Sequence, residues 1–257
     1  MKLEDLQQGT IIATKIFSPT EVSDFARLTH DTNPFHQGED KIVMGAHIAA
    51  YIEQQIDMQM PESKDESKVV EVKVISNLKP GIRSALIHLS GQKYSLFNLE
   101  TQTDIARIER KPIEFSKLKR GSNPKFIASY SLRLEELIEL NRLVGSPETT
   151  RLTHACAVAF TPPTIVYWQN AAIKRQEGFI GLIRSRQLRE VDPANFEVRT
   201  YSPKKKNPTT VNGNFLYTLP TEIYTKGKLA CLVELLVSAI KPIPVEAFEY
   251  EGKREVS

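Results

Sequence analysis

The sequence predicts an α+β fold in which one order of elements, helix, buried helix and then a run of antiparallel strands, occurs twice. Three observations carry this. A helix with a complete start signal is followed by a longer helix that is apolar almost all round. After that pair the pattern changes to alternating and β-branched segments broken by turn residues. The same succession returns after a polar linker near 115–125. Such a chain suits two halves, expected at 1–118 and 126–248, each with a curved sheet around a helix.

The first helix is announced by Ser18-Pro19-Thr20-Glu21. Ser18 can cap it, Pro19 suits its first turn, and Glu21 completes a capping box. Val22, Phe25 and Leu28 then recur at helical spacing, and Pro34 requires the helix to end near Thr29–Thr32. Ile42 to Ile56 reads as the buried helix, opening at a Gly. Beyond a charged connector, Val69–Ser76, Ser84–Lys93, Tyr94–Leu99 and Thr103–Lys111 read as strands. Glu114 to Lys125 reads as linker. In the second half Tyr130 to Leu143 reads as the amphipathic helix, with Arg142-Leu143 matching Arg27-Leu28 and His154 matching His47. An apolar stretch, Leu152–Ala172, follows; Thr161-Pro162-Pro163 must break its helix or restart it, with Thr161 as cap. Gly178–Val191, Phe196–Tyr201, Phe215–Thr221 and Lys226–Pro242 read as strands.

Composition narrows the function. The 257 residues hold 34 Lys+Arg against 31 Asp+Glu, a net +3, which lacks the dense basic stripe of a nucleic-acid binder. No apolar run reaches the ~18–20 residues of a membrane helix and the first residues lack a secretory h-region, so a cytoplasmic protein is expected. Residues 1–120 carry 16 basic and 17 acidic side chains, residues 121–257 carry 18 and 14. The second-half excess gathers between Lys174 and Lys206 and ends in Lys204-Lys205-Lys206, either a solvated loop or an anion site for a phosphate-bearing ligand. Cys156 and Cys231 lie in apolar runs and read as buried thiols. His47 and His154, on apolar helices, read as buried, hydrogen-bonded core residues; His88 reads as a surface residue, and Trp168 with Tyr167 as core.

The chemistry-bearing stretch is Phe25-Ala26-Arg27-Leu28-Thr29-His30-Asp31-Thr32-Asn33-Pro34-Phe35-His36. An acid and an imidazole five apart cannot share a helix face, but a Pro-fixed turn can aim both at one point, where they can hold a water between them. Asn33 can close that turn through its side chain. His30, Asp31 and His36 lack a fourth ligand at metal-site spacing. No nucleotide-binding glycine pattern or Ser-nucleophile elbow is present.

Asp31-x-Asn33-Pro34-Phe35-His36 after Phe25-Ala26-x-Leu28 resembles the hydratase-2 motif of MaoC-like, (R)-specific enoyl-thioester hydratases and dehydratases. The resemblance implies a hot-dog fold, here a double hot-dog, with Asp31 and His36 as the catalytic pair and Asn33 orienting them. It also implies that the Gly45 N–H binds the thioester oxygen, with Met44 standing where the family has a His; an oxyanion donor at a helix N-terminus is a backbone group, so the motif survives that change. The loop from Gln37 to Met44 is shorter than the family's, so acyl-chain preference does not carry over. The second half has Gly145-Ser146-Pro147-Glu148-Thr149-Thr150 at the matching place, without Asp or His, which implies one active site per chain, contributed by the first half. The implied substrate is an enoyl or 3-hydroxyacyl thioester of coenzyme A or acyl carrier protein, with no cofactor; the basic region that ends in Lys204, Lys205 and Lys206 is expected, from its charge, to attract the adenosine phosphate or the acidic carrier. The alternatives are a hot-dog thioesterase and a non-catalytic acyl-binding scaffold. A double hot-dog suits a monomer or a homodimer.

Overall fold

The computed structural model describes residues 9–60, 68–112, 118, 120–146, 150–172, 178–203, 208–239 and 241–256. The chain forms one long curved sheet with its main helices on one face. In the first half, strand β1 (Thr10–Ile16) leads into α1 (Pro19–Leu28), a single 3₁₀ turn (Pro34–His36) and α2 (Gly45–Gln59), followed by β2 (Lys68–Val74), β3 (Arg83–Ser90), β4 (Lys93–Asn98) and β5 (Thr103–Pro112). The second half repeats the order with β6 (Pro124–Tyr130), α3 (Leu134–Leu143), α4 (His154–Val158), α5 (Thr161–Ala172), β7 (Gly178–Gln187), β8 (Phe196–Tyr201), the short β9 (Thr209–Val211), β10 (Asn214–Thr225) and β11 (Lys228–Ala239); β12 (Gly252–Val256) closes the chain.

Strands neighbour one another in the order β1-β3-β4-β5-β2-β7-β11-β10-β8-β6-β12, with β9 on β10. The first five and the next five follow the same rule: the strand before the helices lies at the outer edge, and the strand after them lies innermost. The halves meet where β2 and β7 pair antiparallel, Val70 opposite Ser185 and Lys73 opposite Leu182. β12 runs parallel to β6 and extends the far edge. Across the seam α2 packs on α4 and α1 on α3, so one apolar core runs through both halves, from Phe17, Phe25 and Ile52 to Phe160, Trp168 and Phe248.

The helix starts follow the local chemistry. The Ser18 side chain accepts from the Glu21 N–H at 3.1 Å, and the Ser18 N–H donates to the Glu21 carboxylate at 2.8 Å. α3 keeps only one arm of this arrangement: the Arg133 N–H donates to the Glu136 carboxylate at 2.9 Å, and its guanidinium cannot accept the return bond. α2 begins at Gly45 rather than Ile42, the preceding residues being tied down in extended form by Val43 N–H to Leu78 O at 2.8 Å. The Pro162-Pro163 pair divides the second central helix in two, as the sequence requires, but Thr161 is the first helical residue of α5 and its hydroxyl donates to Val158 O at 2.7 Å.

Two expectations need correction. The amphipathic helix expected from Tyr130 begins at Leu134, and Pro124–Tyr130 is a strand, where the sequence pattern points to linker and helix. Phe126, Ala128 and Tyr130 alternate inward at period two, and pairing with both β8 and β12 fixes that periodicity. The second half accordingly begins before 126, and β12 lies beyond 248. The strand expected from Lys226 begins at Lys228, because Lys226 and Gly227, both at positive φ (49° and 73°), form the turn of the β10–β11 hairpin. Replacing Ser18 with Ala removes one arm of the capping box, and the loss expected is about 1 kcal/mol, read as a lowered midpoint in chemical denaturation with an unchanged slope.

Candidate active site

The site is built by the turn that ends α1. Thr29 closes the helix, its hydroxyl donating to Phe25 O at 2.8 Å. His30 then takes a left-handed backbone, φ 56°, and the Asp31 N–H returns to Ala26 O at 2.7 Å. This places Asp31 beneath the helix end, 5% exposed. Two side chains shape the next few residues. The Asn33 N–H donates to Asp31 Oδ1 at 3.0 Å, and the Phe35 N–H donates to Asn33 Oδ1 at 3.2 Å. These successive Asx turns set the 3₁₀ turn at Pro34, and that turn delivers His36 back to Asp31, whose Oδ2 hydrogen-bonds His36 Nδ1. Gln37 Nε2 donates to Asp31 O at 3.1 Å.

Both Asp31 oxygens are thereby engaged, one by a backbone N–H and one by the imidazole. A carboxylate on Nδ1 makes that nitrogen the donor and leaves the lone pair on Nε2. His36 Nε2 has no hydrogen-bond partner among the described residues, and the imidazole borders a cavity. The sequence suggests that both side chains hold one water; in this geometry Asp31 orients and His36 presents the basic atom.

The cavity measures about 440 Å³. Asp31, Asn33 and His36 border it together with Val43, Met44 and the N-terminus of α2. Gly45 is the first residue of that 15-residue helix, and its N–H has no partner among the described residues. A Cβ there would meet Val74 Cγ2 at 3.1 Å, so the wall closes tightly on the glycine backbone. Met44 is buried, its side chain packing in the core beside the helix start. Ile42 N–H donates to Phe35 O at 2.8 Å, which ties the short Gln37–Met44 segment to the turn that carries Asp31 and His36.

The other wall belongs to the second half, a contribution that the sequence does not reveal. Pro162, Ile165, Val166, Gln169 and Asn170 of α5 line the same cavity, together with Ile180 and Val237. Their i, i+3, i+4, i+7, i+8 spacing marks one helix face, but the sequence alone could not say what that face meets. The Tyr167 hydroxyl donates to His30 O, so α5 also buttresses the turn that carries Asp31.

The remaining candidates are dispersed. Lys204, Lys205 and Lys206 lie outside the described residues. Within the basic stretch around them, Arg184 pairs with Glu71 at 2.6 Å and with Glu234 at 3.0 Å, and Arg199 pairs with Glu197 at 2.7 Å. Among the described residues no three His, Cys, Asp or Glu side chains gather as metal ligands. Cys156 and Cys231 are free and buried, and burial pushes both thiols up. His47 stacks on Phe25, centroids 4.0 Å apart and rings parallel within 2°, with Nε2 3.5 Å from Leu143 O. His154 lies between Ser185 Oγ, 3.0 Å from its Nε2, and Cys231 Sγ, 3.6 Å from its Nδ1. His88 lies on β3 against Tyr94, its Nε2 2.9 Å from Gly91 O.

No protein-family model matches the sequence, and no curated protein does. Solved structures do match. A conserved protein from Mycobacterium tuberculosis with a double hot-dog fold superposes with a TM-score of 0.61 at 8% identity, over 92% of this chain and 97% of that one. A MaoC-like dehydratase from Phytophthora capsici gives 0.58 at 8% identity, over 92% and 98%. The 12:0-ACP thioesterase from Umbellularia californica gives 0.50 at 11% identity, over 79% and 92%. The chain is a double hot-dog protein, and its fold is shared by dehydratases and thioesterases alike. Among the described residues no helix is long and apolar enough to cross a membrane.

Burial holds the His47 imidazole down to about 3, so the folded protein keeps it neutral. The unfolded chain takes up a proton below about 6.5, which means stability is present above that pH and is lost as pH falls toward 3. His154, held down to about 4 by burial first and then by Arg110, adds to the same limb. The His47→Phe variant is expected to lose its part of the acid limb, reducing the slope of unfolding free energy between pH 6 and 4 by up to about 1.4 kcal/mol per pH unit. Denaturation midpoints measured across that range check this; an unchanged slope refutes it.

Proposed function

We propose that the protein is a hydro-lyase that interconverts trans-2-enoyl thioesters and (R)-3-hydroxyacyl thioesters, carried on coenzyme A or acyl carrier protein. The observation that carries this reading is the Asp31–His36 pair, whose imidazole, with Nε2 unpartnered among the described residues, borders a cavity that Gly45, the first residue of α2, also borders. In hydration, His36 Nε2 takes a proton from water as the water oxygen bonds to C3. The C2=C3 electron pair moves toward the carbonyl and forms an enolate-like thioester oxygen. The Gly45 N–H, at the positive end of the α2 dipole, stabilises that charge. The proton on His36 then returns to C2, so the atoms of one water are added and the imidazole ends neutral. Asp31 holds the ring in its tautomer and stabilises the imidazolium between the two transfers. The enclosing apolar walls suit an acyl chain. The thioester class of the substrate rests on the resemblance of the Asp31–His36 motif.

Crotonyl-CoA tests the proposal when enoyl absorbance and free thiol are followed together. Loss of enoyl signal without thiol is the expected result. Release of thiol makes the protein a thioesterase, the activity of one structural neighbour, and neither signal favours an acyl-binding scaffold. His36→Ala and Asp31→Asn are each expected to lower turnover by about 10²–10⁴ with the melting temperature retained; full activity in both refutes the assignment. Carrier recognition by Lys204–Lys206 predicts a raised KM with a weaker salt dependence after charge reversal there, measured by steady-state kinetics.

A further inference from the structure

A second cavity, of about 740 Å³, lies across the seam from the first. The two are related positions in the two halves. The first is bordered by the start of α2 at Gly45 and by Val74, Ile180 and Val237; the second is bordered by the start of α4 at His154 and by Val70, Gln187 and Arg110. The inner strands β2 and β7 serve both, with β11 completing one and β5 the other. The chemistry has diverged. His154, which the sequence pattern matches with His47, is instead the first residue of its helix, as Gly45 is of α2, because α4 starts two residues later relative to that match; both of its nitrogens face buried neighbours.

Among the described residues that line this cavity, the basic side chains each have an acidic partner. Arg110 is ion-paired with Asp57, Arg151 with Glu190 at 3.0 Å, and Lys226 with Asp192 at 3.0 Å. One acid is left over. Glu53, on α2, borders the cavity at 7% exposure and has neither an ion pair nor a hydrogen bond among the described residues. With its carboxylate ionised, the described lining carries one uncompensated negative charge. Val70, Leu152 and Val191 supply apolar wall beside it.

We propose that the second cavity binds a small organic monocation, a primary ammonium or guanidinium with a hydrocarbon body, whose charge is neutralised by Glu53. An isolated buried carboxylate must take either a proton or a counter-ion. The space is far larger than a bare ion requires, and the apolar walls suit a carbon skeleton. Without the ligand the proton occupies the carboxyl: burial first, then Asp57, push Glu53 up to about 8, with Arg110 opposing. The other titratable groups facing it are the Cys156 and Cys231 thiols on α4 and β11, together with the neighbouring His154, and burial keeps all three neutral. A cation therefore binds by expelling a proton at pH 7.

Calorimetry on the full chain with phenethylammonium chloride tests this, with 2-phenylethanol and 3-phenylpropionate as neutral and anionic counterparts. The ammonium alone should bind. It should release close to one proton at pH 7, read from titrations in two buffers of different ionisation enthalpy, and its apparent affinity should rise about tenfold from pH 7 to pH 9 as the ionised fraction of Glu53 rises. Glu53→Gln, close to the protonated side chain in shape and charge, should keep the melting temperature at pH 7 and lose ammonium binding. Tighter binding of the carboxylate, equal binding of the alcohol, binding retained in Glu53→Gln, or no binding at all would each overturn the proposal. The test stands independently of what the first cavity catalyses.

Discussion

The antiparallel pairing of β2 with β7 is the constraint on which the rest of the molecule depends. It joins the five strands of the first half to the seven of the second in one sheet, and an ion chain crosses it. Lys111 on β5 contacts Glu71 on β2 at 2.8 Å, Glu71 contacts Arg184 on β7 at 2.6 Å, and Arg184 contacts Glu234 on β11 at 3.0 Å. Glu71 and Arg184 stand directly opposite in register. Burial alone would raise the Glu71 carboxyl, but the hydrogen bonds from Lys111 and Arg184 outweigh it and hold the group below its usual value. Lys111, Glu71 and Arg184 are partly exposed and only Glu234 is buried, so the chain contributes more to register than to stability. A one-residue slip at this seam would turn the inward set of each strand to the opposite face.

Because the seam is fixed, the helices of both halves lie on one face and must pack against each other. The crevices between them open beside the first residues of α2 and α4. Each cavity therefore has walls from both halves, and neither half can be altered without touching the other's cavity. This is where a duplicated fold can specialise. The first cavity keeps a paired acid and imidazole facing apolar residues of the second half. The second has His154 at its helix start and carries charges where its counterpart is apolar, Arg110 for Val237 among them.

Much of this could be read from the chain. The capping box at Ser18, the glycine start of α2, the restart at Thr161-Pro162-Pro163 and the convergence of Asp31 with His36 are all local, set by side chains a few residues apart. The strand at Pro124–Tyr130 was hidden because its beginning coincides with Gly121, Asn123 and Pro124, which signal a linker, and because its pairing partners lie roughly 70 and 130 residues away. The direct Asp31–His36 contact was hidden for a different reason. A motif tells which side chains converge, but the hydrogen-bond donors at Asn33 and His36 decide how the two carboxylate oxygens are shared.

The largest gap concerns the second half. Read alone, its lack of an Asp and His at 145–150 makes it a remnant. The Pro162-Pro163 break has a positive role in the structure, since α4 ends after five residues and the chain restarts as α5. That restart presents Pro162, Ile165, Val166 and Gln169 to the first cavity and brings the Tyr167 hydroxyl onto His30 O, behind the turn that carries Asp31. An uninterrupted helix would not need two prolines where backbone donors are normally required, whereas the first turn of a new helix accommodates both. The asymmetry between the halves thus has a structural counterpart: the half without the acid and imidazole supplies the wall of the cavity that they border.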